Sequence, residues 1–231
     1  MTVIAIRSVG LSAETTSAWR RNDVQFARSD RTPAEIVGMG YNHILNLGKS
    51  SFTLPHNIVG EGPMVWNDGE NIIPLLRPGA TRELFGDMLP SQPTEFPADV
   101  WIKAPGSHGR GKYQKLVPHA LALPPEWDWQ MHVEGQEYRL ITVGHKIVQD
   151  FMRHGSNGDR TYEWVAMKDT PLPIKRMARL AASRLPGHNV IAWDMLLTEE
   201  GAPYLFEGNT CPGVNEDTAR RIVTEMEKAI D

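Results

Sequence analysis

A single cysteine, Cys211, stands among 231 residues, so no internal disulfide can form. One unpaired thiol suits a reducing compartment, and a cytoplasmic setting is expected. No apolar run approaches the roughly 18 residues that a spanning helix requires. The first residues, Met-Thr-Val-Ile-Ala-Ile-Arg, lack the apolar core and cleavage site of a secretion signal. Charge of one sign is also missing. The formal net charge is −4, with 24 basic and 28 acidic side chains. That gives no electrostatic case for nucleic acid or an anionic membrane as partner. There is no internal repeat and no low-complexity tract. The remaining composition, 41% apolar and 23% charged, is that of a globular protein. The length suffices to bury a sizeable core, in one unit or in two small lobes.

Punctuation divides the chain. Val3-Ile-Ala-Ile6 predicts a first strand, and Ser17 to Arg28 a helix of poor periodicity. Pro33 to Asn46 is mixed and assigns no element. Asn57 to Gly79, rich in Gly, Pro and Asn, reads as loops around a strand at Met64-Val-Trp66. Thr81 to Leu89 reads as a helix with Leu84, Phe85, Met88 and Leu89 on one face. The proline-rich stretch Leu89 to Pro97 is the candidate domain boundary. Beyond it, Val100 to Lys103 is β-prone. Tyr138 to Met152 predicts a hairpin turning at Gly144-His145, a glycine-first pair suited to a type II′ turn. Pro173 opens a helix striped by Ile174, Met177, Ala181 and Leu185. The last helix starts near Asn215 and carries Ala219, Ile222, Val223, Met226 and Ile230 on its apolar face.

Two segments carry chemistry. In Val190 to Gly213, two apolar runs flank Glu199-Glu200-Gly201-Ala202, which reads as a four-residue hairpin loop. If Thr198 faces Pro203, Asp194 faces Glu207, and Asn209 points to the same side as Glu207. Opposed side chains lie roughly 4.5–5.5 Å apart at Cβ, where like charges are destabilising. A divalent cation reverses that sign, and two carboxylates with an amide oxygen are hard ligands of the kind Mg²⁺ accepts. The alternative is an exposed acidic hairpin without a metal. Cys211 beside these residues reads as a passive thiol rather than a nucleophile, with no histidine paired to it nearby in sequence.

The other segment is Lys103-Ala-Pro-Gly-Ser-His-Gly-Arg-Gly-Lys112. Gly106 to Lys112 matches G-x-x-x-x-G-K, but Tyr113 replaces the Ser or Thr that a P-loop needs on Mg²⁺. The residues after it do not begin an amphipathic helix. A glycine-rich flap between strands fits better, since backbone N–H groups without a Cβ in the way can approach phosphate oxygens. The alternative is a solvent-exposed glycine turn carrying lysines.

In this order the pieces resemble the ATP-grasp superfamily, in the branch of glutathione synthetase, D-alanine–D-alanine ligase and the ribosomal-protein glutamate ligases. The likeness runs from about Asn67 to the end of the chain. It implies an α+β class with two α+β lobes gripping ATP, preceded by a shortened Rossmann-like α/β region. Residues 1–89 would form that region and 98–231 the ATP-grasp core, with a nucleotide lobe at about 98–133 and a metal-binding, catalytic lobe at about 134–231. The resemblance carries Lys103 to the nucleotide phosphates. It carries Gly106, Ser107, His108, Gly109 and Gly111 to the flap over them. Gln130, Met131, His132 and Val133 match the hinge that reads adenine, and Glu137 the acid on the ribose. Asp194, Glu207 and Asn209 match the Mg²⁺ ligands, with Mn²⁺ as a substitute ion. Arg153 resembles the arginine at the transferred phosphoryl group. Arg139 matches another basic residue near the phosphates. The hairpin register leaves it a second reading, a cross-strand pair with Asp150.

Three departures accompany the match. Arg82 stands where a first nucleotide-contacting lysine is usual, keeping the charge but not the geometry. Gly208 stands between Glu207 and Asn209, where an apolar residue is usual. The N-terminal region is short, which bears on the acceptor pocket more than on the ATP site. The activity implied is an ADP-forming carboxylate–amine ligase. A substrate carboxylate takes the γ-phosphoryl group of ATP, and an amine then displaces phosphate from the acyl phosphate. The amine or acid partner could be an amino acid, a peptide or a protein terminus. Many members are dimers or tetramers, which implies a homo-oligomer. A kinase of the same fold and a non-catalytic nucleotide-binding protein are the alternatives.

Overall fold

Apolar residues alternate along the first strands, and the alternation has two destinations. In the computed structural model, which describes residues 2–7, 11–27, 31–47, 62–76, 78–92, 98–103, 112–116, 128–154 and 163–229, four parallel strands form the first sheet. They are β1 (Val3–Arg7), β2 (Val24–Phe26), β3 (His43–Leu47) and β4 (Met64–Trp66), in the order β2-β1-β3-β4. Ile4, Ile6 and Ile44 face Ile36 of α2 (Pro33–Val37). Val3, Ala5, Leu45 and Leu47 face the other way, into a core shared with α1 (Ala13–Arg20) and with the C-terminal part of the chain.

Three expectations for this part of the chain are corrected. The first helix is Ala13–Arg20, not Ser17 to Arg28, because Ser12 caps it by accepting the Thr15 N–H at 3.0 Å. After it, Asp23 takes a φ of 60° and the chain enters β2. Between Asn57 and Gly79, β4 is found as expected. The glycines and the proline, however, conceal α3 (Gly69–Leu76), which holds Pro74 within it, and the start of α4 (Pro78–Phe85). Thr81 to Leu89 is therefore only half helical, and Met88 and Leu89 pack just beyond α4.

The second sheet has three antiparallel strands, β5 (Ala98–Lys103), β6 (Lys112–Leu116) and β7 (Asp128–Met131), in the order β6-β5-β7. The third has five, β8 (Gln136–Val143), β9 (Lys146–His154), β10 (Glu163–Ala166), β11 (Val190–Leu197) and β12 (Pro203–Asn209), in the order β10-β9-β8-β11-β12. The expected hairpin turn is present, with Gly144 at a φ of 55° in the position a type II′ turn requires.

Helices cover both faces of the five-stranded sheet. Tyr138, Leu140, Ile191, Trp193, Met195 and Leu205 pack against α5 (Leu172–Arg184) through Ile174, Ala178 and Ala181. On the opposite face, Ile141, Val143, Val190 and Ala192 pack against α6 (Glu216–Glu227) through Ala219, Ile222 and Met226. Asn215 caps α6 as expected, accepting the Thr218 N–H at 2.9 Å.

Asn67 ties the first sheet to the third. It is fully buried at a φ of 58° just beyond β4. Its side chain accepts the Val190 N–H at 2.7 Å and donates to the Val190 and Asn46 carbonyls at 3.0 and 3.1 Å. Asn46 returns the bond by donating to the Asn67 carbonyl at 2.8 Å.

Candidate active site

Period-two alternation decides which groups meet on the α6 side of the five-stranded sheet. Ile141 and Ala192, buried near α6, lie on the same face as Arg139 and Asp194 one pleat away. Arg139 of β8 sits opposite Asp194 of β11, which sits opposite Glu207 of β12. One pleat further, Glu137 shares this face of β8. One pleat the other way, Asn209 is opposite Ala192.

The Asp194–Glu207 facing holds as the sequence predicts, but by a different route. Pro203 is opposite Leu197 rather than Thr198, and the register shifts between Asp194 and Met195 so that Phe206 is an extra residue. In a regular strand Leu205 and Glu207 would point the same way. The bulge lets Leu205 enter the α5 core while Glu207 turns to the other face.

A second irregularity corrects the bland reading of Arg139. The β8–β9 register shifts between Ile141 and Thr142, so Arg139 lies opposite Phe151, and Asp150 faces Leu140. Asp150 instead accepts from the Thr170 hydroxyl at 2.7 Å. Arg139 turns to β11 and grips both Asp194 oxygens, with Nε to Oδ1 at 2.6 Å and Nη2 to Oδ2 at 2.7 Å. Arg153 of β9 makes a similar pair with Glu137, its Nη1 donating to Oε1 and Oε2 at 2.7 and 2.6 Å. The expected phosphoryl and ribose residues are thus direct partners. A correct β8–β9 register would have revealed that pairing, because Met152 faces Tyr138.

The other expected residues lie off this sheet. Arg82 is on α4, and its Nη2 donates to the Pro90 carbonyl at 3.2 Å. Gln130 and Met131 end β7, which α4 contacts. The Met131 N–H reaches the Ser91 carbonyl at 2.8 Å. Gln130 is buried, with no hydrogen-bond partner for its Oε1, while His132 and Val133 follow the strand half-buried. Lys103 ends β5, and its side chain lies outside the described part. Gly106, Ser107, His108, Gly109 and Gly111 lie outside the described residues, in the segment joining antiparallel β5 and β6.

Gly208 has a physical reason that the sequence does not display. A Cβ there would come within 2.8 Å of both the Trp193 ring and Leu75. Trp193 lies directly across the strand pair, held by its Nε1–H to Thr142 Oγ1 at 2.9 Å and edge-on to Phe85.

The donor set suits a hard divalent cation. Asp194, Glu207 and Asn209 offer only oxygen, and Asn209 Oδ1 already orders the turn by accepting the Cys211 N–H at 2.8 Å. Its second lone pair remains for another partner. Among the described residues no three His, Cys, Asp or Glu side chains cluster. A cation here would have two carboxylates and complete its shell from water or phosphate, which is the habit of Mg²⁺. Among the described residues, too, no helix is long and apolar enough to cross a membrane.

No family model and no curated protein matches the chain by sequence. Solved structures do match. D-alanine–D-alanine ligase from Bacillus anthracis, complexed with ATP, superposes with a TM-score of 0.66 at 11% identity, over 100% of this chain and 98% of that one. The ATP-grasp ligase PsnB, complexed with a minimal precursor, gives 0.60 at 12% identity, over 98% and 99%. A RimK-domain ATP-grasp protein from Sphaerobacter thermophilus gives 0.58 at 15% identity, over 96% and 98%. Three sheets in this arrangement, matched over the whole chain by such structures, give this protein the α+β ATP-grasp fold.

Proposed function

We propose that this chain is an ATP-dependent, ADP-forming carboxylate–amine ligase. The observation that carries the reading is the row Arg139–Asp194–Glu207 on one sheet face, with Glu137–Arg153 one pleat away, in an ATP-grasp fold. The reading divides the chain into residues 1–89 as the region that helps hold an acceptor and residues 98–231 as the ATP-grasp core.

In that core Gln130 to Val133 receive the adenine, Glu137 the ribose, and Lys103 and Arg139 the phosphates, with Arg82 reaching the phosphates from the first region. Gly106, Ser107, His108, Gly109 and Gly111 are assigned to the flap over the phosphates, which would keep water from an acyl phosphate. Phosphoryl transfer demands in-line positioning and charge neutralisation more than a protein nucleophile. Arg153 and Lys103 answer that demand by neutralising charge at the transferred group. Asp194, Glu207 and Asn209 would hold Mg²⁺, which when bound supplies Lewis-acid stabilisation of phosphate oxygens. The carboxylate and amine belong to an amino acid, a peptide or a protein terminus. A homo-oligomer in a reducing cytoplasm completes the reading.

The test is thermal melting with ATP, with Mg²⁺ and with both, followed by ADP release across a panel of amino acids and peptides. A ligand that binds only the native state raises its stability. The reading expects a shift that needs nucleotide and Mg²⁺ together. It also expects Asp194→Asn and Glu207→Gln each to abolish ADP release while melting cooperatively. No shift at millimolar nucleotide, or full turnover in the double variant, would overturn it.

A further inference from the structure

Asp194 is presented in a form already neutralised. The Arg139 fork takes both of its carboxylate oxygens, at 2.6 and 2.7 Å. Such a bidentate charge-assisted pair is among the stronger polar contacts a side chain can make. The two side chains are only 20% and 18% exposed, so solvent screens them weakly. The backbones that carry the two side chains are held in register, because β8 is paired on both edges, to β9 and β11, and β11 on both edges, to β8 and β12.

A free divalent ion approaching Asp194 would have to break both contacts. It would also bring a dication up against the Arg139 guanidinium. An ion arriving with phosphate meets a different situation, because the phosphate oxygens can take over the guanidinium as the carboxylate is given up. The guanidinium then keeps an anionic partner through the exchange.

We propose that Arg139 is an internal counter-cation that closes Asp194 to free divalent ions and releases it when an ion arrives together with a phosphate-bearing nucleotide. The identity of the nucleotide rests on the ligase reading above; the competition between Arg139 and a cation for Asp194 does not. Metal and nucleotide binding are then coupled through one positioning residue. The step that frees Asp194 also frees a guanidinium for the phosphates.

The test uses the full chain and Mn²⁺ alone, with affinity read from the electron paramagnetic resonance of the free ion. Arg139→Gln removes the charge, and Arg139→Lys keeps it as a point without the fork. The wild type is expected to bind Mn²⁺ weakly. Arg139→Gln should bind it at least about tenfold tighter, Arg139→Lys should fall between, and Asp194→Asn added to Arg139→Gln should remove the gain. A merely structural role for Arg139 would weaken binding or leave it unchanged. Equal affinity in wild type and Arg139→Gln, or a gain that survives Asp194→Asn, overturns the proposal. If Arg139→Gln does not melt cooperatively, Arg139→Lys decides, and an affinity equal to wild type overturns the proposal. A separate arm melts the wild type with Mn²⁺ and ATP. No shift there, beside a gain in Arg139→Gln, overturns the nucleotide reading and leaves the counter-cation role standing.

Discussion

Replacing Asn67 with alanine tests how the first sheet is fastened to the strand that carries Asp194. The substitution leaves the Val190 N–H without its acceptor and takes a donor from the Asn46 and Val190 carbonyls, all in a fully buried setting. An orphaned buried group costs about 1–3 kcal/mol. The φ of 58° is one that asparagine tolerates and alanine does not, which adds about 1 kcal/mol. The total of about 2–4 kcal/mol corresponds to a fall of about 5–15 °C in Tm for a chain of this size. Asn67→Asp separates donor from acceptor. It keeps an oxygen for the Val190 N–H but sets a carboxylate against carbonyl oxygens, so at pH 7 it should cost at least as much as alanine. Burial raises the pKa of that carboxyl, and such a group regains stability as pH falls and it protonates. Melting both variants at pH 7 and pH 5 provides the assay. An alanine variant within about 2 °C of wild type, or an aspartate variant as stable as wild type at pH 7, would refute the fastening role.

Two further outcomes are expected. Gly208→Ala should cost about 1–3 kcal/mol in chemical denaturation, because the buried Trp193 ring must shift to admit the new methyl; an unchanged midpoint would show that the ring yields freely. His43 is fully buried and accepts the Trp66 Nε1–H at 2.9 Å through Nδ1, and burial holds its pKa below the ordinary value of 6.5. The native state therefore favours the neutral ring. His43 contributes fully above pH 6.5, and that contribution is lost as pH falls from there towards the lowered native pKa. Tm should decline over that window, and His43→Gln should flatten the decline; an equally steep profile in the variant would remove His43 as the cause.

Local signals were legible wherever residues near in sequence fix the geometry. Gly144 set the β8–β9 turn, Asn215 the start of α6, and the acids around a short loop the facing of Asp194 and Glu207. Both β-bulges were hidden, since neither the extra residue at Phe206 nor the shift beside Ile141 is marked by a glycine or proline. The bulge in β12 shows why facing can be right while loop register is wrong. Packing of Leu205 into the α5 core requires the extra residue, and packing is not written in the turn. The Arg139–Asp194 pair links residues 55 apart in sequence, and the Asn67–Val190 bonds residues 123 apart. Partners at such separations follow from which strands become neighbours, and no local pattern encodes that. The first helix slipped because its start is set by the hydroxyl of Ser12, outside the apolar pattern used to place it.

The contact between Gly208 and Trp193 also bears on how the chain can change over time. A larger residue at 208 is obstructed while the indole lies across from it, and a smaller residue at 193 would open a hole beside a bare glycine. Each single step is penalised, whereas a joint exchange of a small 193 with an apolar 208 fills the same space. The two positions should therefore covary among relatives as one inherited unit. A chain that holds tryptophan and glycine here has reached a packing solution from which single substitutions offer no easy exit, one step along the strands from the facing acids Asp194 and Glu207.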